Sequence, residues 1–127
     1  MKKKFLAGTL SVGLLLTGGV ATLAGTVWQN NISVYVPNHN GSGYTKYQTK
    51  ATSGAYAGLR LHATQGNELD VRTNGTNGSG KWVRNVKGGN TYSMPSVTTS
   101  GGSERLHFSS DLLEFNNTQA ILDWRSN

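Results

Sequence analysis

Hydrophobic and polar residues alternate one by one along short stretches of the chain, the period expected of β-strands with one buried face. In the first such stretch, Ile32, Val34 and Val36 alternate with Ser33 and Tyr35. The same alternation recurs at residues 44–52, 59–63, 69–72, 82–86, 91–94, 105–108 and 120–124. No stretch shows uninterrupted apolar spacing of three and four residues, so the pattern predicts strands rather than helices.

Turn residues separate these stretches. Gln65-Gly66-Asn67 indicates a hairpin turn, and residues 74–80, rich in Asn and Gly, indicate a flexible loop. Seven or eight short strands divided in this way are typical of antiparallel sandwiches and barrels. We therefore predict an all-β fold, an antiparallel β-sandwich. Residues 111–115 fit either a helical turn or the start of a strand.

The alternation also predicts which side chains face inward. In the polar strand at 44–52, Lys46, Gln48 and Lys50 share one side, which suits an exposed or edge strand. Trp82 and Trp124 are expected to anchor the core, because a buried tryptophan removes a large apolar area from water. Trp28 is the tryptophan expected at the surface.

The N-terminus has the three parts of a secretory signal: lysines at positions 2–4, an apolar run at 5–16, and small residues before Ala24. The run is shorter than the roughly 20 residues of a transmembrane helix, which disfavours the alternative of an uncleaved anchor. We predict a signal peptide at 1–24, cut after Ala24 or after Ala21. The secreted product, residues 25–127, is predicted to be a single domain held by packing alone, because the chain has no cysteine.

The charge that remains without the signal is modest. Residues 25–127 hold nine basic and six acidic side chains, a net charge of +3, and the basic ones are evenly spread. A nucleic-acid binder usually shows a dense basic stripe, so no nucleic acid is expected as a partner. The charge fits a mild attraction to an anionic cell-wall polymer or a membrane surface.

Common catalytic motifs are missing from the sequence. It has no Gly-x-Ser-x-Gly, no His-Glu-x-x-His and no glycine-rich phosphate loop ending in Lys-Ser/Thr. Glu68 and Asp70 form the best carboxylate pair, but Arg72 follows on the same face, and we interpret that face as a charge-balanced strand surface. We predict no catalytic residue, no cofactor and no metal site.

One triplet occurs twice, as Arg60-Leu61-His62 and as Arg105-Leu106-His107. Each places leucine inward and the arginine and histidine outward. If the two strands are neighbours, the outward side chains form one patch that binds an anionic group, more strongly as the histidines protonate. The alternative is coincidence, since outward positions on strands are usually polar. Trp28 is a further candidate, as a stacking platform for a sugar ring. The ligand-binding candidates are thus Arg60, His62, Arg105, His107 and Trp28.

Several local stretches resemble the DUF2712-like group of small exported proteins of Gram-positive bacteria. They are Ile32-Ser33-Val34-Tyr35-Val36-Pro37, then Tyr44 with Lys50-Ala51-Thr52, Lys81-Trp82-Val83-Arg84-Asn85, and Leu122-Asp123-Trp124-Arg125-Ser126-Asn127. The resemblance implies a small exported protein but no functional residues, because the group has no settled activity. The lactococcin 972-like bacteriocins are similar in general build, although this chain has Gly25-Thr26-Val27-Trp28 where they begin with Gly-Thr-Trp.

These observations predict a non-catalytic interaction module at the Gram-positive cell envelope. A bacteriocin-like secreted antimicrobial is the alternative, favoured by small size, positive charge and export. A hydrolase with an unrecognised site is a third and weaker hypothesis.

Overall fold

The computed structural model describes residues 25–127, and these form β-strands without any helix. The strands are β1 Gln29–Val36, β2 Ser42–Tyr44, β3 Gln48–Thr49, β4 Ala57–Ala63, β5 Leu69–Gly75, β6 Gly78–Ser79, β7 Val83–Val86, β8 Asn90–Met94, β9 Ser103–Ser109 and β10 Thr118–Arg125. Residues 25–127 therefore contain no helix that is long and apolar enough to cross a membrane. The predicted signal peptide and its cleavage sites, Ala21 and Ala24, lie outside the described residues.

The strands form two antiparallel sheets, which confirms the predicted all-β sandwich. The first sheet has the order β1-β10-β4-β8. The second has the order β2-β9-β5-β6, with β3 also paired to β9 and β7 to β5. Apolar residues from the inner faces of both sheets meet in one core: Val34, Val36, Ala57, Leu59, Leu61, Leu69, Val71, Val86, Met94, Leu106, Phe108, Ala120, Leu122 and Trp124.

The described residues form ten strands rather than seven or eight, because one predicted strand is divided in two and part of a predicted loop pairs as a further strand. The predicted strand at 44–52 is broken into β2 and β3. Between them the Leu106 amide donates to the hydroxyl of Thr45, at 2.9 Å, instead of to a backbone carbonyl. Part of the predicted loop at 74–80 pairs as β6 against β5. Residues 111–115 are neither helix nor strand.

Two charged side chains are buried between the sheets, contrary to the sequence prediction for Lys50. Lys50 and Glu104 both have fully buried side chains, and Lys50 Nζ lies 3.4 Å from Glu104 Oε1. Lys50 Nζ also donates to the backbone carbonyls of Ala55 and Ser126, and Ser96 donates to the second Glu104 oxygen. Burial lowers the pKa of Lys50, an effect that Glu104 partly offsets. We call these groups the buried polar cluster.

Gln48 is buried beside this cluster, and it too was predicted to be exposed. Its amide nitrogen donates to the Trp124 carbonyl at 3.2 Å, and its amide oxygen accepts from the Ser126 amide at 2.8 Å. The prediction that Lys46, Gln48 and Lys50 share one side is wrong, since Lys46 is exposed whereas Gln48 and Lys50 are buried. The break between β2 and β3 interrupts the alternation, and alternation alone does not show which side is buried when both sides are polar.

A loop between β9 and β10 exposes three large apolar side chains. Leu112, Leu113 and Phe115 are 69–79% exposed. The loop is nevertheless tied to its neighbour, because the amides of His39 and Asn40 donate to the carbonyls of Glu114 and Asp111 at 2.9 and 3.0 Å. The apolar side chains are therefore held in solvent by backbone hydrogen bonds.

Candidate functional site

The outer face of the second sheet collects arginine and aromatic side chains. On β9, Leu106 and Phe108 face the core, so Arg105 and His107 face outward. On β5, Arg72 lies directly opposite His107. Strand alternation thus brings these three basic side chains to one surface.

Aromatic rings fill the spaces between these side chains. The Tyr44 ring stacks on His107 with centroids 4.6 Å apart, and the Trp82 ring lies 5.0 Å from His107 on a tilted plane. The Arg105 guanidinium lies 3.9 Å from the Tyr44 centroid, and that of Arg72 lies 4.4 Å from the Trp82 centroid. Adding Tyr47 and Arg84, we call this set the arginine–aromatic face: Tyr44, Tyr47, Arg72, Trp82, Arg84, Arg105 and His107.

The free charge of this face resides on two arginines. Arg84 forms an ion pair with Asp70 at 2.7 Å. Within residues 25–127, neither Arg72 nor Arg105 has a carboxylate within ion-pair distance. Their Nε atoms are used locally, by His107 and by Asn74. Two guanidiniums are therefore held in place without a counter-charge.

His107 is fixed in one neutral tautomer at the centre of the face. Its Nδ1 accepts from Arg72 Nε at 3.2 Å, because a guanidinium can only donate. The proton is then on Nε2, which donates to the Ser42 hydroxyl at 2.9 Å. Burial lowers the pKa of His107, and the charges of Arg72 and Arg105 lower it further.

This pKa shift predicts that acid destabilises the fold. The unfolded chain takes up a proton near the ordinary histidine pKa of about 6.5, whereas folded His107 does so only at lower pH. The contribution of His107 to stability should therefore be fully present above about pH 6.5 and should fall as the pH drops below that value. Urea unfolding between pH 7.5 and 5.5 would measure this decline, which His107→Gln should reduce. His39→Gln, at an exposed imidazole, is the control and should retain it; equal slopes in all three proteins would contradict the prediction.

Arg60 and His62 lie elsewhere, so the prediction of one patch shared with Arg105 and His107 is wrong. They are on β4 of the first sheet, whereas β9 belongs to the second. The inward orientation of both leucines is confirmed, since Leu61 and Leu106 are core residues. Arg60 and His62 instead contact Asp123, at 3.3 and 3.0 Å.

Trp28 packs onto the outer surface of the first sheet as a structural ring. It lies over Gly58, where an added Cβ would come within 2.9 Å of the ring. The guanidiniums of Arg60 and Arg125 lie 3.6 and 4.7 Å from its centroid. Two guanidiniums therefore lie against this ring, and the role of Trp28 as a sugar-stacking platform stays a prediction.

The neighbouring Asp123 carboxylate is stabilised in its ionised form. Burial alone raises its pKa, but the Asn31 amide, which donates to it at 2.8 Å, together with His62 and Arg60, keeps the pKa below its usual range. On the first sheet, Arg60 and His62 are thus already paired with the carboxylate of Asp123.

Trp82 belongs to the arginine–aromatic face and not to the core, contrary to the sequence prediction. The cause is an irregularity in the pairing of β5 with β7, next to Asn85, whose φ is 57°. It turns Val83 and Val86, three residues apart, toward the same interior. Trp82 is therefore on the outside. The spacing of the two valines was the signal that strict alternation missed.

Other parts of the described chain are weaker candidates for a binding or metal site. A hollow of about 580 Å³ beside His62 contains Lys87 and Glu68, which pair with each other at 3.2 Å. Residues 25–127 contain no group of three or more His, Cys, Asp or Glu side chains that could hold a metal ion. The arginine–aromatic face is thus the best candidate site.

Comparisons with known proteins found no relative of this chain. No family model matches the chain, and neither the curated proteins nor the solved structures contain a match.

Proposed function

We propose that this chain is a secreted, non-catalytic binding module that acts at the Gram-positive cell envelope by holding an anionic polymer on its arginine–aromatic face. One observation carries the proposal. The guanidiniums of Arg72 and Arg105 are held among aromatic rings and have no carboxylate partner within the described residues. Export is supported by the signal-like pattern of residues 1–24, and the envelope is the surface that an exported anion-binding module would meet.

The arrangement favours binding over chemistry. Each guanidinium is oriented through its Nε atom and by a ring, so little side-chain freedom remains to be lost when an anion binds. Guanidinium groups bind carboxylate and phosphate oxygens with paired hydrogen bonds. His107, at the centre of the face, is occupied on both nitrogens, which leaves neither one free as a general base.

The test compares two double variants that each remove two positive charges, one from the arginine–aromatic face and the other from outside it. Arg72→Gln with Arg105→Gln should weaken retention on a purified Gram-positive wall fraction about tenfold, since each exposed charge contributes up to about 1 kcal/mol. Lys81→Gln with Lys87→Gln, at two exposed lysines that do not belong to that face, is the control and should retain wild-type binding. Added salt should weaken wild-type binding. Equal loss in both variants, or no retention of the wild type at physiological salt, would contradict the proposal.

A bacteriocin-like role is the second candidate, and the exposed side chains of Leu112, Leu113 and Phe115 favour it. Exposed apolar clusters of this kind mark sites of contact with proteins or membranes. The two roles differ in one observable: an envelope module is retained by the wall fraction without inhibiting the growth of related strains.

A further inference from the structure

A cleft lies between the exposed edges of the two sheets, where β1 passes β2. Its volume is about 580 Å³. One wall comes from the β1 side, with Trp28, Gln29, Asn30, Ile32 and Ser33, and the other from Tyr44, Thr45 and Lys46. The cleft therefore combines apolar surface with amide and hydroxyl groups and one ammonium group.

The cleft is continuous with the arginine–aromatic face. Tyr44 lines the cleft and also stacks on His107. Next to it, Gly43 lies so close to β1 that an added Cβ would come within 2.3 Å of the Tyr35 carbonyl. Lys46 is exposed and, among the residues described, has no carboxylate within ion-pair distance. A third free cation thus extends the face into the cleft.

Together the face and the cleft form a track that crosses the strands. It runs from Arg84 on β7 through Arg72 on β5 and Arg105 on β9 to Tyr44 on β2 and Ile32 on β1. Neighbouring strands of one sheet lie about 4.8 Å apart, so the four strands from β7 to β2 span roughly 14 Å, and the step to β1 of the other sheet lengthens the track further. Aromatic rings and cations alternate along it.

We infer that the ligand of this track is a linear acidic polysaccharide, with one of its sugar rings in the cleft. This inference rests on the proposed function and specifies its ligand. A chain of charged sugars offers apolar ring faces for Trp82 and Tyr44 and carboxylates for Arg72 and Arg105. A phosphate polymer without rings would use the cations and the rings that orient them, but would leave the cleft without a role.

Three probes separate these contributions. Polygalacturonate carries rings and carboxylates, linear polyphosphate carries charge without rings, and dextran carries rings without charge. By calorimetry or biolayer interferometry, polygalacturonate should bind at least about fivefold tighter than polyphosphate at equal charge concentration, since ring stacking contributes about 1 kcal/mol or more. Dextran should not bind measurably. Oligogalacturonides should bind more tightly with length until the track is filled.

The role of the cleft is tested by filling it. Ser33→Trp, at an exposed β1 position on the cleft wall, should weaken polygalacturonate binding about tenfold and leave polyphosphate binding unchanged. Thr91→Trp, at an exposed position of β8 on the other edge of the first sheet, is the matched control and should bind as the wild type does.

The outcomes distinguish the inference from the proposed function. If polyphosphate binds as tightly as polygalacturonate, or if Ser33→Trp has no effect, the inference is overturned while binding of an anionic polymer stands. If neither polyanion binds, the proposed function fails as well. If dextran binds as well as polygalacturonate, charge is not recognised and the inference is overturned.

Discussion

Replacing Lys50 by alanine is expected to reduce the free energy of unfolding by about 3–5 kcal/mol, the usual effect of breaking a buried ion pair. The substitution leaves Glu104, whose side chain is fully buried, with a charge and no cation beside it. It also removes the donor to the carbonyls of Ala55 and Ser126. Urea unfolding monitored by circular dichroism measures the change.

Two further variants test the cause of this loss. The first removes both buried charges at similar volume, and the second breaks an ion pair that is exposed. Lys50→Met combined with Glu104→Gln removes both charges at similar volume and should cost less than Lys50→Ala alone. Lys87→Ala breaks an ion pair with Glu68 in which the Lys87 side chain is 63% exposed and the Glu68 side chain 43%. It should lower the free energy of unfolding by no more than about 1 kcal/mol. A Lys50→Ala protein as stable as Lys87→Ala would contradict the structure of the buried polar cluster.

Replacing Trp124 by alanine is expected to cost about 3–5 kcal/mol, the range for a large aromatic side chain in a core. Trp124 is fully buried near the C-terminal end of β10, and its indole nitrogen donates to the side-chain oxygen of Gln29 at 3.1 Å. The substitution would leave a cavity in the core. Thermal and urea unfolding measure the loss.

Trp82 supplies the matched control for this prediction. It is the same residue type but lies on the outer face of the second sheet, so Trp82→Ala should cost about 1 kcal/mol, the order of its ring and cation contacts. Trp82→Ala should instead weaken polymer binding, which Trp124→Phe should leave intact. Similar destabilisation by Trp82→Ala and Trp124→Ala would contradict the placement of the two rings.

Much of the fold follows from the sequence because alternation is a local property. The apolar residues of β1, β4, β9 and β10 were assigned to the core from spacing alone, and Leu61, Leu106 and Trp124 lie there. Spacing does not determine which strands become neighbours. Arg60 and Arg105 have the same local sequence, yet sheet pairing places them on opposite outer faces.

The candidate site was only partly predictable for the same reason. Arg105 and His107 were identified, but their partners Arg72, Tyr44 and Trp82 come from three other parts of the chain. The irregular pairing next to Asn85 also reversed the side on which Trp82 emerges. Such irregularities are set by cross-strand pairing and by the core, which a single segment does not reveal.

The position of β10 has a kinetic consequence. This strand lies between β1 and β4, and its residue Trp124 is in register with Gln29 of β1. The first sheet therefore has a gap at its centre until the segment around residue 124 has left the ribosome. Pairing between such distant segments is typical of slow folding, so a nascent chain is expected to stay open until β10 is available to close the sheet.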